Sequence, residues 1–248
     1  KLMKGIVLFI ILITISSCME VENPLVIGHR GAMGHETENT LASIQKALDL
    51  KVDMIEIDVF KIASGEIVVF HDDTVDRLTN GKGSIENFTF DELQKLTLKG
   101  NHKIPLLTQV IELIDRKVPL NIELKGADTT NDVNAILKEF IKKGWMLNDF
   151  IISSFNWEEL KIMRKLNKDI AIAVLIESKN PLEALPLANE LNAVAINPNY
   201  KNLNLEIANQ IREAGFKIYS WTVNGPQDII EMKRIGVDGM FTNFPERV

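Results

Sequence analysis

The residues best suited to chemistry stand at or just after the ends of short apolar runs: His29, Arg30 and Gly31; Glu56 and Asp58; His71; Glu123 and Lys125. Arginine offers a planar fork of donors matched to phosphate oxygens, and the adjoining glycine lets the backbone turn sharply beside a ligand. In Glu56-Ile57-Asp58 the period of an extended strand puts both carboxylates on one face, with Ile55, Ile57 and Val59 on the other. Asn121-Ile122-Glu123-Leu124-Lys125 repeats the arrangement, with Glu123 and Lys125 sharing a face. If the apolar faces pack on helices, three carboxylates point into one interior, where unpaired like charges are costly. A hard divalent cation resolves that cost, and oxygen ligands favour Mg2+ or Ca2+, with Mn2+ also suited, over zinc. The alternative is a structural network in which Arg30 and Lys125 pair with the acids. Two cations and two histidines aimed at the same acids favour a site for a charged substrate.

These groups need a scaffold that collects strand ends. From Leu25 onward, short runs rich in Val and Ile alternate with longer amphipathic stretches, the pattern of βα units around a parallel sheet. Eight principal strands are expected, at Val26 to His29, Met54 to Val59, Leu120 to Leu124, Phe150 to Ser154, Ile170 to Ile176, Ala193 to Ile196, Lys217 to Thr222 and Gly239 to Thr242. Helices are expected between them at Thr40 to Leu50, Leu106 to Arg116, Asn131 to Lys143, Trp157 to Leu166, Leu182 to Glu190, Leu205 to Ala214 and Pro226 to Ile235. Gly144, Gly215 and Gly236 follow three of these where left-handed caps belong. The pattern predicts an α/β fold, a (β/α)8 TIM barrel over residues 25 to 248. An open doubly wound sheet is the alternative, but no Gly-x-Gly-x-x-Gly loop follows the first strand.

One connection breaks the alternation. The stretch from Asp58 to Ile67 is too short for a helical crossover and has Ser64-Gly65 at its middle, so a hairpin is expected. Folded about Ser64-Gly65, it would set Asp58 opposite His71 and bring that histidine to the acids. Residues 72 to 104, polar and glycine-containing, would form an insertion over the barrel mouth before the second helix.

The 248 residues are 46% hydrophobic and 25% charged, an ordinary globular composition, and a net charge of −6 gives nucleic-acid binding no electrostatic support. The first stretch differs: Lys1 and Lys4 precede an uncharged apolar run from Gly5 to Ile15. That run is short of the about 20 apolar residues a spanning helix needs, so residues 1 to 17 are expected to be an export signal. Ile15-Ser16-Ser17-Cys18 resembles the bacterial lipobox, in which the cysteine is lipidated after cleavage. On that pattern Cys18, the only cysteine, carries a lipid anchor, residues 18 to 24 form a tether, and the protein is exported to the cell envelope and held on a membrane.

Taken together, His29-Arg30-Gly31, Glu38-Asn39-Thr40, Glu56-Ile57-Asp58, Val69-Phe70-His71-Asp72, Ile122-Glu123-Leu124-Lys125 and Trp221-Thr222-Val223-Asn224 resemble the glycerophosphodiester phosphodiesterase family across the whole expected mature chain. The resemblance implies metal-dependent hydrolysis of a glycerophosphodiester to glycerol 3-phosphate and an alcohol. It implies that His29 and His71 are the acid-base pair, that Glu56, Asp58 and Glu123 hold the metal, and that Arg30 and Lys125 contact the phosphate. Glu38 and Asn39 would support the loop after the first strand, and Phe155 and Trp221 would shape a glycerol pocket or serve packing. Either histidine could be the base, and the nucleophile is water or the neighbouring glycerol hydroxyl. Thr37 stands where the family usually has proline, which would loosen that loop, and Asn243 where it often has aspartate. The rival readings are a phospholipase D-like or C-like enzyme acting on an intact lipid, and a lipid-anchored phosphate-binding protein without turnover.

Overall fold

A computed structural model of the protein describes residues 23–248. The expected export signal, Cys18 and most of the tether lie outside the described residues. Among these, nine strands join in one sheet: β1 (Leu25–Gly28), β2 (Met54–Lys61), β3 (Ile67–Val69), β4 (Leu120–Leu124), β5 (Phe150–Ser154), β6 (Ala171–Ile176), β7 (Ala195–Pro198), β8 (Lys217–Ser220) and β9 (Gly239–Thr242). The order is β1-β9-β8-β7-β6-β5-β4-β2-β3, and β1 also pairs with β2, which closes eight parallel strands into a barrel. Only β3 runs antiparallel, as the outer arm of a hairpin with β2. The expected (β/α)8 barrel is therefore the fold.

Helices α1 (Leu41–Asp49), α2 (Phe90–Lys95), α3 (Leu107–Ile114), α4 (Thr130–Lys142), α5 (Trp157–Leu166), α6 (Leu185–Glu190), α7 (Leu205–Glu213) and α8 (Pro226–Ile235) complete the units. The stretch expected as one helix from Leu182 is divided, a 3-10 turn at Pro181–Ala184 leading into the shorter α6. The expected left-handed caps are present, Gly144, Gly215 and Gly236 having φ of 102°, 92° and 79°. Alternation sorts the strand residues into two layers. Ile55, Ile57, Ile122, Ile152, Ile196, Ile218 and Met240 face the helices in one continuous core, each aliphatic side chain contributing about 1.5–3 kcal/mol by its burial. Ile27, Met54, Ile151, Ala173, Ala195, Tyr219 and Phe241 form a second cluster, within the barrel. Further along the same inward faces, at the carboxyl ends, stand Glu56, Asp58, Asn121, Glu123, Ser153 and Asn197, all buried.

The hairpin register is one residue from the expected one. Val59 pairs with Val69, Phe60 with Val68 and Lys61 with Ile67, so Asp58 faces Phe70, whose amide donates to the Asp58 carbonyl at 2.9 Å. The loop centres on Ser64 because Gly65 takes a φ of 99° and donates its amide to Ile62. His71 reaches the site one residue beyond the strand partner of Asp58, after the chain has left the ladder.

Residues 72–104 pack against the hairpin and are not merely polar. Val75, Ile85, Leu93, Leu98 and Ile104 bury themselves against Phe60, Ile62, Val68 and Phe70 in a core separate from that of the barrel. The insertion also contains α2, announced by the unremarked pair Thr89 and Glu92, whose side chains cap each other's backbone amides. Among the described residues no helix is long and apolar enough to cross a membrane.

Candidate active site

The chain leaves β1 through a tight loop built for close approach. Arg30 and Gly31 have φ of 53° and 81°, and a side chain on Gly31 would lie 2.6 Å from the backbone of Ser43, so only glycine lets α1 pack here. Ser43 Oγ donates to the Arg30 carbonyl at 2.9 Å, and Asn39 donates its amide to the same carbonyl at 3.1 Å. The Asn39 side chain holds Asp58, with Nδ2 donating to Oδ2 at 2.9 Å. Thr37 fastens the loop, its hydroxyl donating to the Lys99 carbonyl of the insertion at 2.7 Å.

Glu56 and Asp58 on β2 and Glu123 on β4 converge as expected, with oxygens within 4.8 Å of one another and all three residues buried. Parallel pairing aligns Asp58 with Glu123, which sets the spacing. Burial, then the Asp58 and Glu123 charges, push the Glu56 carboxyl well above the usual carboxylate range. Burial and Asp58 likewise raise Glu123 to about 7, against the pull of Lys125. Glu56 Oε2 accepts the Arg30 amide at 2.9 Å, but buried Oε1 has no partner. An orphaned carboxylate oxygen on Glu56, within reach of two further buried carboxylates, fits a divalent cation with hard oxygen ligands.

Two side-chain cations flank the acids. Arg30 Nη1 donates to Glu38 Oε1 at 2.7 Å, while its Nε lies 3.4 Å from Asp58 Oδ2 without hydrogen-bond geometry. Lys125 Nζ lies 3.0 Å from Glu123 Oε1 and 3.4 Å from His71 Nε2. Burial works against the Lys125 charge, but Glu123 and Asp58 outweigh it and hold the ammonium above its usual range.

Each histidine is oriented through Nδ1. His29 Nδ1 lies 2.7 Å from Asn243 Oδ1, and His71 Nδ1 the same distance from Asp72 Oδ1. Both partner oxygens only accept, which assigns the proton to Nδ1 in each ring and leaves Nε2 for chemistry. Burial first, and then Arg30, lower the His29 pKa to about 4, so this ring is neutral at pH 7. The two histidines line one cavity of about 130 Å³ with Arg30, Glu56, Asn121, Glu123, Ser153, Phe155 and Trp221. Phe155 and Trp221 meet edge to face, with centroids 5.3 Å apart, and Lys125 Nζ lies 5.9 Å from the Phe155 centroid.

Several residues make contacts that the sequence does not assign. Asn121 is buried, its Nδ2 donating to Ser153 Oγ at 2.8 Å while Oδ1 stays unpartnered. Its place on the Glu123 face of β4 was the available signal. Asn243 makes its contact across 214 residues, which no local pattern reveals. Arg77, in the insertion, bridges Glu38 and Asp72 with no sequence signal at all. His35 pairs with Glu246 at 2.9 Å and His102 lies 3.8 Å from Glu36, both outside the cavity. Within the basic stretch at 161–168, Arg164 donates to the carbonyls of Leu191, Asn167 and Lys168.

A barrel that gathers histidines, carboxylates and phosphate-matched cations at its carboxyl-end mouth has the architecture of a hydrolase for charged substrates. Residues 29–247 match the model of the glycerophosphoryl diester phosphodiesterase family, and the chain belongs to that family; it is a phosphoric diester hydrolase. It is 36% identical over 231 residues to a glycerophosphodiester phosphodiesterase of Caldanaerobacter subterraneus subsp. tengcongensis, covering 90% of this chain and 95% of that one. A glycerophosphodiester phosphodiesterase of Bacillus subtilis is 30% identical over 246 residues, 90% of this chain and 84% of the relative. Among solved structures, an Oleispira antarctica phosphodiesterase in complex with the product sn-glycerol-3-phosphate superposes with a TM-score of 0.83 at 30% identity, over 90% of this chain and 94% of that one.

Proposed function

We propose that the protein hydrolyses glycerophosphodiesters to glycerol 3-phosphate and an alcohol, with a divalent cation held by Glu56, Asp58 and Glu123. The observation that carries this reading is the pair of histidines, each held at Nδ1 by a long-range or neighbouring acceptor and each lining the cavity that Glu56 and Glu123 of the carboxylate cluster also line. The product named in the Oleispira structure supports the same substrate class. Mg2+ or Ca2+, with Mn2+ as the further candidate, would neutralise phosphate charge as a Lewis acid when bound. Arg30 and Lys125 hold the phosphodiester between them and add positive charge where negative charge develops. His29, neutral with Nε2 bare, takes the proton of the nucleophile, which is water or the neighbouring glycerol hydroxyl. His71, held through Nδ1 by the Asp72 carboxylate, delivers a proton to the departing alcohol. Phe155 and Trp221 shape the glycerol side of the cavity.

The motif residues surround the glycerophosphate, so head-group choice is weak. Product analysis with glycerophosphocholine, glycerophosphoethanolamine and glycerophosphoglycerol should give glycerol 3-phosphate from all three. Release of phosphocholine would show that the opposite ester bond is cut. Turnover only of intact phospholipid would favour a phospholipase-like enzyme, and no turnover of either would favour a binding protein. Export and anchoring through Cys18 belong to the same proposal, supported by the lipobox resemblance of Ile15-Ser16-Ser17-Cys18. Full-length protein should partition with membranes and a Cys18→Ser variant should not; absence of labelled fatty acid from the chain would refute it.

A further inference from the structure

The insertion sends one charged side chain back toward the histidines. Arg77 donates Nη1 to Glu38 Oε2 at 2.9 Å and Nη2 to Glu38 Oε1 at 2.8 Å, and on its other edge Nε to Asp72 Oδ2 at 2.6 Å and Nη2 to Asp72 Oδ1 at 2.9 Å. Both carboxylates are thus gripped by forks, the arrangement that most strictly fixes relative position. Each carboxylate has a second partner inside the site: Glu38 takes Arg30 Nη1 and Asp72 takes His71 Nδ1. Glu38 stands on the loop after β1 and Asp72 just after β3, so one guanidinium ties together the two segments that carry Arg30 and His71.

Glu38, His71 and Asp72 also present ligand atoms within 4.8 Å of one another, a grouping that by composition could hold a metal ion. The Arg77 guanidinium supplies the positive charge there instead, on a tether. Its effect on the acids is large. Asp72 is held down to about 2, chiefly by its hydrogen bonds to Arg77. Burial pushes Glu38 up, but Arg77 and Arg30 outweigh it and hold the carboxylate below its usual range. The turn that bears Arg77 is itself fixed: Val75 is fully buried in the insertion's core, its amide donates to the Gly83 carbonyl at 2.9 Å, and its carbonyl accepts the Thr79 amide at 3.1 Å.

We infer that Arg77 is a positioning residue, a built-in cation that fixes Asp72, and through it His71, against the Arg30 loop. The inference goes beyond the hydrolytic reading in assigning the insertion a part in the reaction, and it rests on that reading only where activity is measured. The Arg77 side chain is 48% exposed, so a small cation can reach its place if it is removed. In Arg77→Ala, kcat should fall by about 10- to 100-fold, as on loss of other supporting partners, with KM within about 3-fold. Amide hydrogen exchange should quicken in segments 30–40 and 70–76. Guanidinium, well below its denaturing range, should reverse both changes, and the same concentration of sodium chloride should reverse neither. Arg77→Lys should resemble the alanine variant, because one ammonium cannot fork two carboxylates.

A kcat within about 2-fold of wild type in Arg77→Ala would overturn the assignment. So would a loss that guanidinium leaves uncorrected, or full activity in Arg77→Lys. Thermal melts of each variant keep the assays within the folded range. A wild-type protein inactive on every glycerophosphodiester sinks the hydrolytic reading alone, since the exchange measurement uses no substrate and still decides on Arg77.

Discussion

The two halves of the barrel mouth differ sharply in charge. The ends of β1, β2 and β4, with the hairpin, bring His29, Arg30, Glu56, His71 and Glu123 to the cavity, with Asp58 and Lys125 directly behind. The ends of β5 to β9 bring Ser153, Phe155, Leu175, Trp221, Thr222 and Phe241, none of which ionises near neutral pH. Proton transfer and charge neutralisation need groups within hydrogen-bond reach, and the parallel-paired neighbours β1, β2 and β4 provide that spacing. The neutral half displaces water and so strengthens every interaction on the charged half. Chemistry and shape are thereby assigned to opposite walls.

The most severe way to break this division is to remove one proton carrier. His29→Ala or His71→Ala should lower kcat by about 100- to 10,000-fold with the circular dichroism spectrum unchanged. Near-normal turnover in either would mean that the charged wall is not where protons move.

Next in size is the metal. Chelation should abolish activity, Mg2+, Ca2+ or Mn2+ should restore it, and Glu56→Ala, Asp58→Ala or Glu123→Ala should weaken cation binding measured by calorimetry. Full activity after exhaustive chelation would remove the cation from the charged wall. Binding to the folded state alone should also raise Tm.

The same acids make a pH prediction. Glu123 is raised to about 7 by burial and Asp58, above the about 4.3 of an unfolded glutamate. Between those values the metal-free folded state binds more protons than the unfolded one, so stability falls as pH rises. The contribution is complete below about 4.3 and lost as pH rises through about 7. Metal-free Tm should decline across that window and flatten when Mg2+ is added; a decline of equal slope with Mg2+ present would contradict the cation site.

The smallest effect belongs to the neutral wall. Trp221→Ala or Phe155→Ala should raise KM by about 5- to 10-fold, the equivalent of about 1 kcal/mol for an aromatic contact, with kcat little changed. A kcat loss as deep as that of the histidine variants would merge the two walls into one.

The barrel is legible in the sequence because its strands obey a strict period and end in polar residues, as Glu56, Asp58 and Glu123 do. The hairpin register is one residue less legible, since it depends on the backbone conformation that Gly65 adopts and not on the pattern of apolar residues. The core of the insertion is hidden for a different reason. Val75, Ile85, Leu93, Leu98 and Ile104 come from short turns, the brief α2 and irregular chain, so their joint spacing follows neither one helix nor one strand. The bridge made by Arg77 and the contact of Asn243 with His29 are legible only in three dimensions, because a side chain that grips another across the fold leaves no local trace.

The β2–β3 hairpin outruns the barrel and serves as a party wall. Val59, Ile67 and Val69 belong to the barrel's own core, while Phe60, Ile62, Val68 and Phe70 belong to the annex beside it. A household divided this way can be rebuilt on one side only. Away from Arg77 and from the Lys99 carbonyl that holds Thr37, residues between 72 and 104 can be exchanged without disturbing a barrel helix, provided that the wall keeps its apolar face. Descendants of this chain can remodel the annex while inheriting the barrel floor intact.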